Sequence, residues 1–288
     1  MISWPDPLVQ GIARQRAVLF LGAGTSLNSV GDEGKTPPDW RAFLERGIEK
    51  CEGSKRHLHR LLREGELLTL CEIVKKQLAE NFTALLEDEF TRPKYEVSEL
   101  HKVLFQLNLR LVITTNFDKL YDTYAQSESV NTVKIKSWTD GDIGNFIRGD
   151  HRLIIKAHGS IDNPPEMIFT RNEYARAMHQ KPEFYSLLDS LVLTHTFLFV
   201  GCSLNDPDLR LMLEKNTAFF RSTEPHYICL PRGRQYHADI VTCMREDYNL
   251  KTLLYRPIEN HKELTESVKK LVSLVEDGRK RIAETQGW

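Results

Sequence analysis

Four short stretches hold the residues of this chain best suited to chemistry. The first, Gly22-Ala23-Gly24-Thr25-Ser26, follows an apolar run and spaces its glycines G-x-G, so the backbone can turn tightly and approach a phosphate closely. The second is Thr114-Thr115-Asn116-Phe117-Asp118. Its neutral amide can align a water or a sugar hydroxyl without losing a proton of its own, and a carboxylate stands two residues on. The third, Lys156-Ala157-His158-Gly159-Ser160, offers an imidazole, whose pKa near neutrality makes it the natural general base. The other nine histidines, among them His57, His59 and His195, fall in helical or charged segments. The fourth, Gly201-Cys202-Ser203-Leu204-Asn205-Asp206, adds a glycine turn, a thiol and a hydroxyl able to meet a ribose or a phosphate.

Each stretch has a plainer reading beside it. G-x-G after a strand can be a tight turn and nothing more. Asn116 or Asp118 can simply cap the next helix, and Asn205-Asp206 ahead of Pro207 reads as a helix start. The glycine turn alone leaves its ligand open. A dinucleotide fingerprint wants a third glycine where Leu27 stands. A P-loop wants Gly-Lys-Ser/Thr where Leu27, Asn28 and Ser29 stand, so a triphosphate seat is excluded. Cys202 does not sit in the G-x-S-x-G elbow that would present a nucleophile.

What unites the four stretches is the elements that must carry them. Short apolar runs at 17–21, 110–116, 151–159, 196–203, 226–231 and 251–255 read as buried strands, with helical segments at 117–126, 182–195, 206–220 and 261–284. Alternation of this kind predicts a doubly wound, mostly parallel, Rossmann-like α/β sheet. Ligands of such sheets bind beyond the carboxyl ends of the strands, and all four stretches fall there. Residues 39–108 carry apolar positions at helical spacing with little β-branched content, which predicts a helical insertion after the first strand. The sheet domain is then 1–38 with 109–288.

Composition sets the outer bounds. Hydrophobic residues at 41% and charged residues at 27% suit a folded globular chain. A net charge of −1, from 39 basic and 40 acidic residues, gives no overall attraction to nucleic acid or membrane, and neither is an expected partner. No apolar run is long enough to span a bilayer and the N-terminus shows no signal peptide, so a cytoplasmic location is expected. The five cysteines include no C-x-x-C pair, which argues against a zinc module and predicts free thiols.

Taken together, "GAGTS", "TTNFD", "KAHGS" and "VGCSL", in this order and at strand ends, resemble the sirtuins, and among them the zinc-free sirtuin-like domains of prokaryotic antiviral defence. "PPDWRAFL" and "FTRNEYARA" also look like this subgroup. The resemblance implies that NAD is the substrate and that no metal is needed. It assigns Gly22, Ala23, Gly24 and Ser26 to the pyrophosphate, Asn116 and Asp118 to the nicotinamide ribose, His158 to the role of base, and Gly201 and Ser203 to the adenosine ribose. Thr25, Thr115 and Cys202 fall in the same strand-end set and are counted as cofactor-binding; Asn116, Asp118 and His158 are the expected catalytic residues.

The activity implied is NAD glycohydrolysis to nicotinamide and ADP-ribose, serving anti-phage defence by depleting NAD. Protein deacylases of the same family carry a zinc ribbon, which has no counterpart here; deacylation is the alternative, followed by a non-catalytic module that senses NAD or ADP-ribose. An NAD-dependent dehydrogenase is disfavoured by Leu27, and by Glu45 and Glu49 falling on the helical block where an acidic ribose anchor would be needed. Because constitutive NAD loss harms a cell and the chain leaves little room for a separate sensor, gating is expected from homo-oligomerisation or an activating subunit such as a HerA-like ATPase.

Overall fold

The computed structural model describes residues 1–203, 207–219, 224–233 and 235–285. Seven strands form its centre: β1 (Ala17–Leu21), β2 (Leu111–Thr114), β3 (Lys134–Ser137), β4 (Leu153–Lys156), β5 (Thr196–Val200), β6 (His226–Pro231) and β7 (Leu250–Tyr255). They pair in the order β3-β4-β2-β1-β5-β6-β7, every pair parallel. This is the α/β Rossmann-like architecture. The inner strands AVLFL, LVIT, LIIK and TFLFV are nearly continuous apolar runs, as strands covered on both faces must be.

Successive side chains divide between the two faces. Ala17, Leu19 and Leu21 point to one face, covered by α1 (Asp6–Ala13), α6 (Glu99–Gln106), α7 (Leu120–Glu128) and α13 (Lys262–Thr285). Val18 and Phe20 point to the other, covered by α8 (Ile143–Arg148), α9 (Arg171–Gln180), α10 (Pro182–Thr194), α11 (Pro207–Phe219) and α12 (Ala238–Tyr248). Between β1 and β2 lies the helical block: α2 (Trp40–Lys50), α3 (Arg56–Glu64), α4 (Leu67–Leu78) and α5 (Asn81–Phe90) share a core of their own, which also takes in Met167 and Phe169. The last helix of that connection, α6, instead packs Leu100, Val103 and Leu104 into the sheet core.

Two differences from the sequence reading have local causes. β3, with the sequence KIKS and all four residues half-buried, is an edge strand and lacks the apolar run that marks the others. The helix expected from residue 117 begins at Leu120, because Asp118 turns the preceding loop by accepting the Leu120 N–H on Oδ1 at 3.0 Å. α11 opens at Pro207, whereas the proposed cap at Asn205 and Asp206 lies outside the described residues.

Candidate active site

Register alone brings the expected residues together. Leu21 pairs with Thr114 and Val200, and Thr114 pairs with Lys156, so β1, β2, β4 and β5 end level. Two residues beyond those ends stand Ala23, Asn116, His158 and Cys202, in one row along neighbouring strands. Adjacent parallel strands lie about 4.8 Å apart, so Asn116 and His158 leave the sheet as neighbours.

The glycine turn is held first by the protein itself. Gly22 N–H donates to the Val200 carbonyl at 3.0 Å, and Gly24 N–H donates to the Gly201 carbonyl at 2.9 Å. A Cβ on Gly22 would lie 2.5 Å from Gly201 O, and one on Gly24 would lie 2.8 Å from Gly201 Cα. The G-x-G spacing is therefore required by the contact between the β1 and β5 loops before any ligand is considered. Ala23–Thr25 form one 3-10 turn, and Thr25 and Ser26 are buried.

Asn116 is oriented by this turn. Its Nδ2 donates to Gly22 O at 3.1 Å and to Thr25 Oγ1 at 3.3 Å, which leaves Oδ1 buried and without a partner among the described residues. Asp118 has both oxygens engaged: Oδ1 takes the Leu120 N–H, and Oδ2 takes the Ser26 hydroxyl at 2.9 Å. His158 is buried, its ring set edge-on to Tyr174 with centroids 5.2 Å apart. The turn after it needs glycine, since Gly159 has φ +81° and a Cβ there would meet Glu166 O at 2.7 Å.

Two cavities share this centre. The first encloses about 560 Å³, counted to its open mouth, and is bounded by Ala23, Ser26, Asn116, Asp118 and His158 on the sheet side and by aromatic rings on the other. Phe117 stacks on Phe169 at 4.2 Å, and Trp40 meets Phe169 edge-on at 6.3 Å; the Trp40 Nε1 donor is buried there with no partner among the described residues. Walls of this kind suit a planar ring carrying a polar group. The second cavity, about 610 Å³, shares Thr115 and His158 with the first and continues between Phe20, Phe184, Leu188 and Met212. Gly201 and Cys202 abut the glycine turn and Ser203 is exposed; none of the three lines either cavity.

The helical block is fixed onto this site. Glu173 accepts the Phe169 and Thr170 N–H groups at 2.9 Å and pairs with Lys75 of α4. Burial works to raise the Glu173 pKa, but the Lys75 hydrogen bond and the two backbone donors outweigh it and hold the carboxyl below its usual range. Beneath the Asn116 loop, Lys156 Nζ lies 2.7 Å from Asp122 Oδ2 and donates to the Asp118 carbonyl at 2.6 Å. Burial pushes the Asp122 carboxyl up while Lys156 opposes it.

Sequence reasoning missed Trp40, His101, Asp122 and Lys156. A lysine closing the apolar strand LIIK was a signal for a buried ion pair, and Trp40 stood within the stretch PPDWRAFL; His101 and Asp122 carried none. Among the described residues no three His, Cys, Asp or Glu side chains gather as metal ligands, and no helix is long and apolar enough to cross a membrane. Among the described residues the five cysteines form no disulfide.

The geometry can be set beside known proteins. The model of the SIR2-like domain family matches residues 110–253. Over 277 residues the chain is 24% identical to "NAD(+) hydrolase ThsA" of Bacillus cereus (strain MSX-D12), covering 90% of this chain and 54% of that protein. The protein of the same name from Enterococcus faecium is 28% identical over 229 residues, 77% of this chain and 44% of the relative. "Defense-associated sirtuin 2" of Bacillus subtilis is 26% identical over 204 residues, 69% of this chain and 19% of the relative. The chain thus spans about half the length, or less, of these curated relatives.

Proposed function

The chain belongs to the SIR2-like domain family, and from that premise we propose that it hydrolyses NAD to nicotinamide and ADP-ribose in antiviral defence. Relatives named NAD(+) hydrolase and defence-associated sirtuin support the reading. The observation that carries it is the level exit of Asn116 and His158 from adjacent strands into one cavity with the glycine turn.

The bond broken joins C1′ of the ribose to the pyridinium nitrogen. Its electron pair leaves with nicotinamide, which departs neutral, so no acid is required. The transition state is oxocarbenium-like, and water closes on C1′. The unpartnered Oδ1 of Asn116 is suited to hold the ribose hydroxyl or the attacking water, and His158 to take the proton that water sheds. With both oxygens engaged, Asp118 orients the Asn116 loop. Trp40 Nε1 and the stacked phenylalanines suit the nicotinamide carboxamide and ring. In this reading the turn Gly22–Ser26 seats the pyrophosphate with Thr115 beside it, and Gly201, Cys202 and Ser203 face the adenosine side.

The test is nicotinamide release by purified protein. Asn116→Ala and His158→Ala should each lose about 10²-fold or more in kcat while remaining folded; full activity in both folded variants contradicts the assignment. The second cavity favours one further reading, in which an acylated lysine reaches His158 as acceptor in place of water. That reading requires nicotinamide release to depend on an acyl-peptide. Turnover that empties a cell of NAD must also be restrained, and we place that control in self-association or in a partner such as a HerA-like ATPase. A monomer fully active alone contradicts it.

A further inference from the structure

The loop carrying Asn116 and Asp118 is tied to an imidazole that the reaction above does not touch. His101, on α6, is fully buried, and its two ring nitrogens meet two hydroxyls. Nδ1 lies 2.9 Å from Ser98 Oγ, and Nε2 lies 3.5 Å from Ser26 Oγ. Ser26 in turn donates to Asp118 Oδ2 at 2.9 Å.

Counting protons fixes the direction of the first two links, and a neutral ring then sets the third. A carboxylate only accepts, so the single proton of Ser26 goes to Asp118. Ser26 can then only accept from His101, which puts the imidazole proton on Nε2. A neutral ring protonated there is an acceptor at Nδ1, and Ser98 supplies that proton. Burial favours the neutral ring, pushing the His101 pKa down against the pull of Asp118. Ser98 bears this out locally. It occupies the N-cap position of α6, yet its hydroxyl makes no cap bond and goes to the side chain of His101. A residue type favoured at that position for capping has been diverted to orient an imidazole.

The chain of donors Ser98 → His101 → Ser26 → Asp118 therefore crosses from α6 through the β1 turn to the β2 loop. The same Asp118 is held from below by Lys156 at its carbonyl. We propose that His101 is a positioning residue of this site: as a neutral imidazole protonated on Nε2, it holds Ser26 in the donor role that locks the glycine turn against the Asn116 loop. The Nε2 contact, at 3.5 Å, is the longest of the three links.

The kinetic part of the test rests on the hydrolysis reading, and a second measurement stands free of it. His101→Phe keeps an aromatic ring, a somewhat larger one, and removes both nitrogens; His101→Gln restores a donor and an acceptor. In folded protein, His101→Phe should lower kcat for nicotinamide release by about 10-fold or more with a smaller change in KM, and His101→Gln should recover to within about 3-fold of wild type, because small misalignments at a reacting centre cost that much. A His101→Phe variant with wild-type kcat, or Phe and Gln variants equally impaired, overturns the proposal. Independently, nitrogen-15 NMR at pH 7 should find His101 neutral with its proton on Nε2, and Ser26→Ala should shift that signal. A charged ring, or a proton on Nδ1, overturns the proposal even if His101→Phe fails to fold. Wild type that releases no nicotinamide defeats the hydrolysis reading alone, and the NMR result still decides the role of His101.

Discussion

In the proposed reaction Asn116 takes its role from what its neighbours leave undone. Both acceptors near its Nδ2 belong to the glycine turn, so the amide is fixed and Oδ1 is left as a buried acceptor with nothing to accept from. A stranded polar atom of this kind costs free energy in the unliganded fold, which the proposed reaction would regain when a substrate hydroxyl or water arrives. Trp40 Nε1 is the complementary case, a stranded donor on the aromatic wall. If it meets the carboxamide of the nicotinamide, Trp40→Phe should raise KM for NAD by about 10-fold, the worth of one hydrogen bond to a neutral partner, with little change in kcat. Steady-state rates of nicotinamide release check this.

Among the elements, β4 and α7 are joined by a buried ion pair that also grips the connection between β2 and α7. Lys156 enters from β4 to pair with Asp122 and to donate to Asp118 O, in a place from which water is excluded. Lys156→Met leaves Asp122 buried and uncompensated and should destabilise the protein by about 3–5 kcal/mol in chemical denaturation. Lys156→Met with Asp122→Leu should restore most of that stability and still turn over slowly, because the Asp118 carbonyl has lost its donor. A double variant that recovers full activity along with stability would mean that this grip does not position the loop.

Element by element, legibility in the sequence followed distance along the chain. The four strand-end stretches could be read because each is local: an apolar run, a glycine or polar turn, and the parallel sheet that such runs imply. His101 could not, because its meaning lies in Ser26, 75 residues away, and Ser26 acts on Asp118, 92 residues away. Trp40 likewise reads as one more amphipathic helix residue until α2 is set against Phe169. β3 was hidden for the opposite reason, since a half-buried edge strand with two lysines carries no apolar signal. The glycine turn was legible as a place but only half legible as a cause, for Gly22 and Gly24 answer first to the β5 loop.

For the molecule as a whole, both faces of the sheet are covered, and its acid sensitivity is set partly far from the site. His226, at the start of β6, is buried and accepts the Phe197 N–H on Nδ1 at 3.1 Å, and burial pushes its pKa down to about 4. The unfolded chain, with a histidine near its ordinary 6.5, therefore binds the extra proton first as pH falls. Stability is lost as pH drops from about 6.5 toward about 4, by up to about 3 kcal/mol from this group. Thermal unfolding between pH 7 and pH 4.5 should show the loss, and His226→Asn, which keeps an acceptor and cannot charge, should flatten it.

The carboxyl ends of the strands bring together the glycine turn, Asn116 and His158 around an aromatic cavity, with a second cavity opening from the same histidine. In the proposed function this end of the sheet consumes NAD with water as acceptor. Incubating the purified chain with NAD, with and without an acylated peptide, and identifying the products tests it most directly. Nicotinamide and ADP-ribose in equal amounts without peptide are the predicted result. Nicotinamide that appears only with the acyl-peptide and is matched by O-acyl-ADP-ribose, or NAD that is bound and never cleaved, would contradict it.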